Sequence, residues 1–286
     1  MIQKKTQTIN SLADLENFEN CHLSLQVSLN GMQYCVYDKD LVDVVLLNDI
    51  SFTERPQTPT QLLHLIEEVY KTEPQLSEKY DSVSVSHQNN LASFVPDALY
   101  EETHVSDYLK YSVKVLDNDH VVTDSIVEGD SKNVYIPLQG INEFFFHKYD
   151  KVSFTHSSSI LVSSLLRYYK LHTGKHFFVN VCKNNVDIVF INNNHLELFN
   201  SFLFYTKEDF LYYVLFVMEQ LRLNPDDQKV TLLGAIEKND ELYEILYTYV
   251  RYVHFLEVEN YSISEEFYRQ NPHVKKHNYF VLLNQF

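Results

Sequence analysis

Apolar and polar residues alternate along Leu23–Leu29, where Leu23, Leu25, Val27 and Leu29 are set against Ser24, Gln26 and Ser28. A period of two predicts a half-buried strand. Asn30-Gly31 follows, a hairpin dipeptide favoured because both residues tolerate positive φ. Met32–Tyr37 is the expected return strand, Asp38-Lys39-Asp40 a turn and Val42–Leu47 a third strand. Thr58 then caps a helix, with Pro59 at its first position and Gln61 at its third. Leu62, Leu63, Leu65, Ile66, Val69 and Tyr70 give that helix an apolar face, and Pro74 closes it. Val83–Ser86 reads as a short strand, and residues 1–20 as a polar, frayed start with a short helix at Leu12–Phe18.

The same order of elements returns later. Phe177–Cys182, Val186–Ile191 and Leu196–Phe204 are apolar runs parted by Lys183-Asn184-Asn185 and Asn192-Asn193-Asn194. A helix, Thr206–Leu221, and a strand, Val230–Leu233, complete the unit. The echo reaches individual residues. Leu46-Leu47-Asn48-Asp49-Ile50-Ser51-Phe52 matches Leu198-Phe199-Asn200-Ser201-Phe202-Leu203-Phe204, and Thr58 matches Thr206, with Asp209 in the place of Gln61. Matched order, a shared Asn and a shared cap favour duplication. The second helix differs in being apolar nearly all round from Phe210 to Met218, so it is expected to lie between layers or under a partner.

Between the units the pattern is less regular. Phe94–Tyr100 reads as an edge strand or turn entering a helix, Val105–Val115 as helical, and Val121–Val127 and Val134–Ile136 as strands. Ile141–His147 suggests a helix, Val152–His156 a strand, and Ser157–Leu171 a helix that Gly174 would end. After the second unit come a helix at Asp240–Tyr249, a strand at Val253–Val258 and an unassigned tail, Tyr261–Phe286. The expected division is a flexible stretch at 1–20, one domain at 21–173 and a second at 174–286.

Two copies of a meander followed by helix and strand describe the ribonuclease-H-like unit, and a tandem pair is the actin-like ATPase fold. The chain also resembles, through Leu25-Gln26-Val27-Ser28-Leu29-Asn30-Gly31 and Phe94-Val95-Pro96, an uncharacterised Bacteroidetes family with that fold. It is more distantly similar to the pilus-assembly actin-like scaffold. The resemblance implies an α/β architecture of mixed sheets with helices on both faces and a cleft between two lobes. It also implies what an active member would carry: an Asp at the end of the first strand of each repeat, to arrange Mg²⁺ and the attacking water. Aligned on that pattern, those positions hold Gln26 and Ser28 in one repeat and Asn180 and Cys182 in the other. Neutral groups do not supply the charge of a hard-cation site. Where the family pattern has paired glycines for adenosine, Leu232-Leu233-Gly234-Ala235 keeps one. By departure, the resemblance argues against ATP hydrolysis, and no cofactor is expected.

Composition narrows the rest. The formal net charge of −16 disfavours nucleic acid and anionic lipid as partners. Only 5 glycines leave little material for phosphate-cradling loops. No apolar signal segment opens the chain, and its longest apolar run, Phe210–Met218, falls far short of the roughly 20 residues that cross a bilayer. Three scattered cysteines, Cys21, Cys35 and Cys182, suggest reduced thiols and a cytoplasmic setting, in which the sequon-like Asn260-Tyr261-Ser262 has no meaning.

Other chemistry gives way to structural readings. Gly174-Lys175 lacks the preceding glycine of a phosphate loop, since position 169 is Tyr. Ser157-Ser158-Ser159 beside His156 has no nucleophile elbow and reads as capping. The spaced pairs His172/His176 and His273/His277 lack further ligands, and Asp117-Asn118-Asp119 lacks the glycine and glutamate of a calcium loop. Glu101-Glu102 and Asp226-Asp227 read as solvated acids, and Lys275-Lys276 with Tyr279 and Phe280 as a packed terminus. Two functions are expected. The first is an interaction or scaffold module with a protein partner, a homodimer being left open. The alternative is a nucleotide or small-molecule binder whose cleft uses Gln26, Ser28, Asn30, Asn180, Asn184 and Gly234 as neutral hydrogen-bonding groups.

Overall fold

The structure, a computed structural model, describes residues 2–9, 17–110, 113–116, 119–257 and 263–286. The chain opens with β1 (Ile2–Ile9), β2 (Cys21–Ser28), β3 (Gly31–Asp38), β4 (Asp43–Phe52), α1 (Pro59–Thr72) and β5 (Ser82–Gln88). An inserted three-stranded sheet follows: β6 (Ala92–Pro96), β7 (Val122–Ile126) and β8 (Ser131–Tyr135), ordered β6-β8-β7. Next come α2 (Ile141–Lys148), β9 (Val152–His156) and α3 (Ser157–Tyr168). The second half holds β10 (Lys175–Val181), β11 (Asn185–Asn192), β12 (His195–Leu203), α4 (Lys207–Gln220), β13 (Lys229–Gly234), α5 (Glu241–Tyr249), β14 (Tyr252–Phe255) and α6 (Glu265–Gln270).

The first large sheet is ordered β1-β4-β3-β2-β5-β9 and the second β12-β11-β10-β13-β14. Apart from β1, the two orders are the same. In each, an antiparallel meander leads into two parallel strands, β5 and β9 or β13 and β14. The residue echo is a register echo. Asp49 of β4 faces Gln33, which faces Gln26. Ser201 of β12 faces Asp187, which faces Asn180.

Helices cover both faces, as expected. Leu23, Leu25 and Val27 pack with Leu62 and Ile66 of α1 and Phe145 of α2 on one face of the first sheet. Its other face, at Cys35, Val44 and Leu47, is covered by Phe267, Val274, Leu282 and Leu283 from the tail. In the second sheet Phe177, Val179 and Val181 pack under α4 and α5. Phe178, Val189 and Leu233 pack against Leu161, Val162 and Leu165 of α3 and against Phe280. One core lies wholly before residue 174 and another wholly after it, while α3 packs forward on the second sheet and the tail returns to the first.

Local signals meet tertiary context in several places. The frayed start is instead, over Ile2–Ile9, a strand paired antiparallel from Ile2↔Phe52 to Ile9↔Leu46. It covers the edge that β4 would otherwise expose, a need not visible in residues 1–20 themselves. The hairpin turn lies one residue earlier than expected, at Leu29-Asn30, since Ser28 pairs with Gly31. Gly31 has no positive φ; it is there because a Cβ would sit 2.2 Å from the Ile50 carbonyl oxygen of β4. Asn193-Asn194 does form the left-handed turn, with φ of 48° and 67°. Thr58 accepts from Gln61 N, while Thr206 and Asp209 form a complete capping box. α3 ends at Tyr168, before Gly174. The helix expected over Val105–Val115 is a run of 3₁₀ turns, Glu102–Leu109, and Pro96 leads into a short 3₁₀ turn. α4 is buried on one side only, with Tyr212 61% and Phe216 38% exposed. No helix among the described residues is long and apolar enough to cross a membrane. Most of Leu12–Phe18, two residues of the Asp117–Asp119 turn, the end of the Val253–Val258 strand and the Asn260 sequon lie outside the described residues.

Candidate functional site

The C-terminal ends of β2 and β10 face each other across a cleft of about 330 Å³. Both strands are first strands of a meander, so the turns that follow them, Leu29-Asn30 and Lys183-Asn184, project to the same rim. All six residues singled out in the sequence line it: Gln26, Ser28 and Asn30 from the first lobe, Asn180, Asn184 and Gly234 from the second. The tail contributes Asn278 to Leu282 to the same wall.

Across the floor the side chains form one hydrogen-bonded chain. Gln26 Nε2 donates to Gln88 Oε1 at 2.9 Å, and Gln88 Nε2 donates to Cys182 Sγ at 2.8 Å. The Cys182 thiol points to Asp187 Oδ2 at 3.9 Å, which Asn180 Nδ2 also approaches at 3.0 Å. The chain thus runs from the end of β2 in one lobe to the end of β10 in the other, through the positions where the family pattern has acids. Ser28 closes its own turn, accepting from Asn30 N at 3.1 Å.

Two carboxylates stand at the site without having been singled out in the sequence: Asp49 lines the cleft, and Asp187 lies beneath it, bonded to Asn180. Asp187 of β11 accepts from Asn180, from Asn185 at 2.7 Å and from Ser201 at 2.7 Å. Burial pushes its pKa above the usual carboxylate range, and its donors, the Cys182 thiol included, only partly restore it. Asp49 of β4 accepts from Gln33 at 3.0 Å. Register would have located both. Pairing across the 183–184 turn puts Asp187 opposite Asn180, and the repeat echo puts Asp49 where the second lobe has Ser201. Burial and the nearby Asp187 charge hold the Cys182 thiol well above its ordinary pKa, so it is a neutral partner in the chain.

Gly234 has a structural duty. At φ +85°, a Cβ there would lie 2.2 Å from Val181 O and 2.6 Å from Asn180 Oδ1. Its amide donates to His277 O at 2.8 Å, and the Ala235 amide to Val181 O at 2.7 Å. Two features at the cleft are left without partners among the described residues. Gln26 Oε1 is buried with no hydrogen-bond partner. Arg55 and Lys183, one from each lobe, line the cleft, with no ion-pair partner among the described residues.

The serine run behaves as a cap. His156 Nδ1 accepts from Ser158 N at 3.2 Å and lies 2.7 Å from Ser158 Oγ, while Nε2 meets Asn89 Oδ1 at 3.2 Å. His156 and Ser158 are 1% and 2% exposed, so no substrate reaches the pair. Asp124 binds His156 N and Ser159 Oγ, fixing the start of α3. Cys21, Cys35 and Cys182 are free thiols. Among the described residues no three His, Cys, Asp or Glu side chains converge on a metal position.

No curated protein matches the chain. Solved structures do. One is a Bacteroides thetaiotaomicron protein with an actin-like ATPase fold and unknown function, at TM-score 0.75 and 18% identity, over 93% of this chain and 100% of the other. Another is the PilM-PilN type IV pilus biogenesis complex, at TM-score 0.60 and 10% identity, over 92% of this chain and 96% of the other. At these identities the likeness establishes the fold, which is that of the actin-like ATPases. The family model described as protein of unknown function (DUF3822) matches residues 10–253, and the chain belongs to that family.

Proposed function

We propose that this protein is a non-hydrolysing member of the actin-like class that works as an interaction module for a protein partner. One observation carries the reading: the Gln26–Gln88–Cys182–Asp187 chain joins the two first-strand ends through hydrogen bonds that these side chains make to one another. A magnesium nucleotide needs oxygen ligands with charge to spare and backbone amides free to meet phosphate. Here Asp187 is held by four donors, and the Gly234 and Ala235 amides are bonded within the chain. The residues do not fit that ligand. A partner-binding role is in keeping with the fold neighbour that is itself part of a two-protein complex.

A second reading, a small-molecule binder in the cleft, is favoured by the orphaned Gln26 Oε1 and by Arg55 and Lys183 at the rim. A thermal-shift screen separates the two. A ligand at 100 times its Kd stabilises the native state by about 2.7 kcal/mol, which moves the melting point of a chain this size by several degrees. The module reading expects no shift with nucleotides at millimolar concentration, with or without Mg²⁺. A Mg²⁺-dependent shift with ATP overturns it, and a shift with an anionic metabolite alone favours the second reading.

A further inference from the structure

The outward face of α4 is chemically unlike an ordinary solvent-facing helix surface. Helical spacing places Glu208, Tyr212, Phe216 and Glu219 in one stripe, with Tyr205 just beyond the N-cap. Tyr205 is 77%, Tyr212 61% and Phe216 38% exposed. The stripe is ordered from below. Tyr212 and Phe216 stack at 5.8 Å between ring centroids, Tyr212 meets Tyr213 edge-on at 5.5 Å, and Tyr213 stacks on Phe202 of β12 at 4.6 Å. The rings are therefore held in place before any partner arrives, which lowers the entropy cost of covering them.

The ends of the stripe say what covers it. Glu208 and Glu219 are exposed and have no ion-pair partner among the described residues, whereas the neighbouring Lys207 is paired with Glu241 at 3.5 Å. The two acids stand on the helix about 16 Å apart along its axis, at 1.5 Å per residue. An aromatic centre with a carboxylate at each end complements an apolar segment with a cation at each end. A second copy of this chain fits poorly. Antiparallel packing of two α4 stripes would set Glu208 against Glu219 at both ends, between molecules that each carry −16.

We propose that this face of α4 is the docking surface for a protein partner, through a segment whose apolar centre is flanked on both sides by Lys or Arg. The inference rests on the interaction-module reading and supplies its site and the chemistry of its partner. The occupied surface lies over α4, away from the cleft between the lobes.

The test uses the full chain and two synthetic fluorescein-labelled amphipathic peptides with the same leucine- and phenylalanine-rich centre. One carries lysines and the other glutamates, placed about 16 Å apart along a helix. Fluorescence anisotropy should show binding of the lysine peptide in preference to the glutamate peptide, weakening as salt is raised. Tyr212→Gln with Phe216→Gln should weaken it about tenfold or more. Glu208→Lys with Glu219→Lys should invert the preference between the peptides. All four positions are exposed, and circular dichroism melts confirm that the variants fold. No binding of the lysine peptide at 1 mM, roughly the weak limit of specific recognition, overturns the proposal. So does binding unaffected by the glutamine pair, or a preference unmoved by charge reversal. Sedimentation showing a dimer of the wild-type chain that the glutamine pair dissolves also overturns it, in favour of self-association. Insensitivity of peptide binding to the α4 variants rejects this surface alone and leaves the wider module reading standing; nucleotide turnover would reject that reading without bearing on α4.

Discussion

Mild acid should destabilise this protein, because two buried histidines beside the cleft, His87 and His156, take up a proton in the folded chain only well below the ordinary imidazole range. His87 precedes Gln88, the last residue of β5. Its Nδ1 accepts from Leu138 N at 3.2 Å, and its Nε2 meets Asn142 Oδ1 at 2.7 Å. His156 Nδ1 accepts from Ser158 N, and Nε2 meets Asn89 Oδ1. Each ring is thus a neutral Nε2–H tautomer, and protonating Nδ1 would turn an acceptor toward a backbone donor. Burial lowers the pKa of His87 to about 4 and that of His156 to about 3. A folded pKa below the unfolded value of about 6.5 means that the stabilisation is whole above about pH 6.5. It is lost progressively as pH falls toward and through the folded values. Between pH 7 and pH 5 the linkage amounts to about 2 kcal/mol for each ring, about 4 kcal/mol together. That is a large part of an ordinary stability of about 5–15 kcal/mol. His22, lowered to about 4 by burial, adds in the same direction. Asp124 and Asp187, whose pKa values burial raises, act in the opposite sense and recover a part at the acid end. The assay is urea denaturation at half-unit steps of pH from 7.5 to 5, beside NMR titration of the imidazole signals. His87→Gln, which keeps a donor and an acceptor but does not titrate, should remove about half of the loss contributed by the His87–His156 pair. A stability flat over this range, or a His87 or His156 ring titrating near 6.5 in the folded chain, refutes the reasoning.

Other perturbations test the packing around the site. Gly234→Ala places a Cβ against the Val181 carbonyl at positive φ and should cost about 2 kcal/mol or more in urea denaturation; a cost under about 0.5 kcal/mol would contradict the close approach. Tyr34→Phe removes the 2.7 Å donor to the buried Glu73 carboxylate and should cost about 1–3 kcal/mol by the same measurement. Gln88→Ala cuts the chain across the floor, and the Cys182 thiol should then react with a thiol reagent faster than in the wild type, while Cys21 and Cys35 stay inert; an unchanged labelling rate would show that Gln88 does not hold the floor closed.

What could be read from the sequence was whatever the chain encodes locally. Val152–His156 is the strand that its alternation predicts, and Thr58 and Thr206 cap the helices they announce. The tandem order of elements was legible because each repeat carries its own turns and caps. Features set by distant segments were not. β1 exists through its pairing with β4, and Gly31 is required by a neighbour's carbonyl rather than by its own turn. The six cleft residues came from aligning strand ends, which a fold pattern allows. Cys182 came from the same alignment of strand ends, whereas Gln88 and Asp187 entered the floor through the parallel pairing of β2 with β5 and the antiparallel pairing of β10 with β11. The tail looked formless because its partners, Cys35, Val44 and Leu47, lie more than two hundred residues away.

Isothermal titration of the purified chain with MgATP, followed by phosphate release from the same sample, is the most direct test of a cleft whose floor side chains are bonded to one another rather than arranged for a magnesium nucleotide. No binding heat at micromolar affinity and no release above a blank are the expected results. Saturable MgATP binding with steady phosphate release would contradict the account.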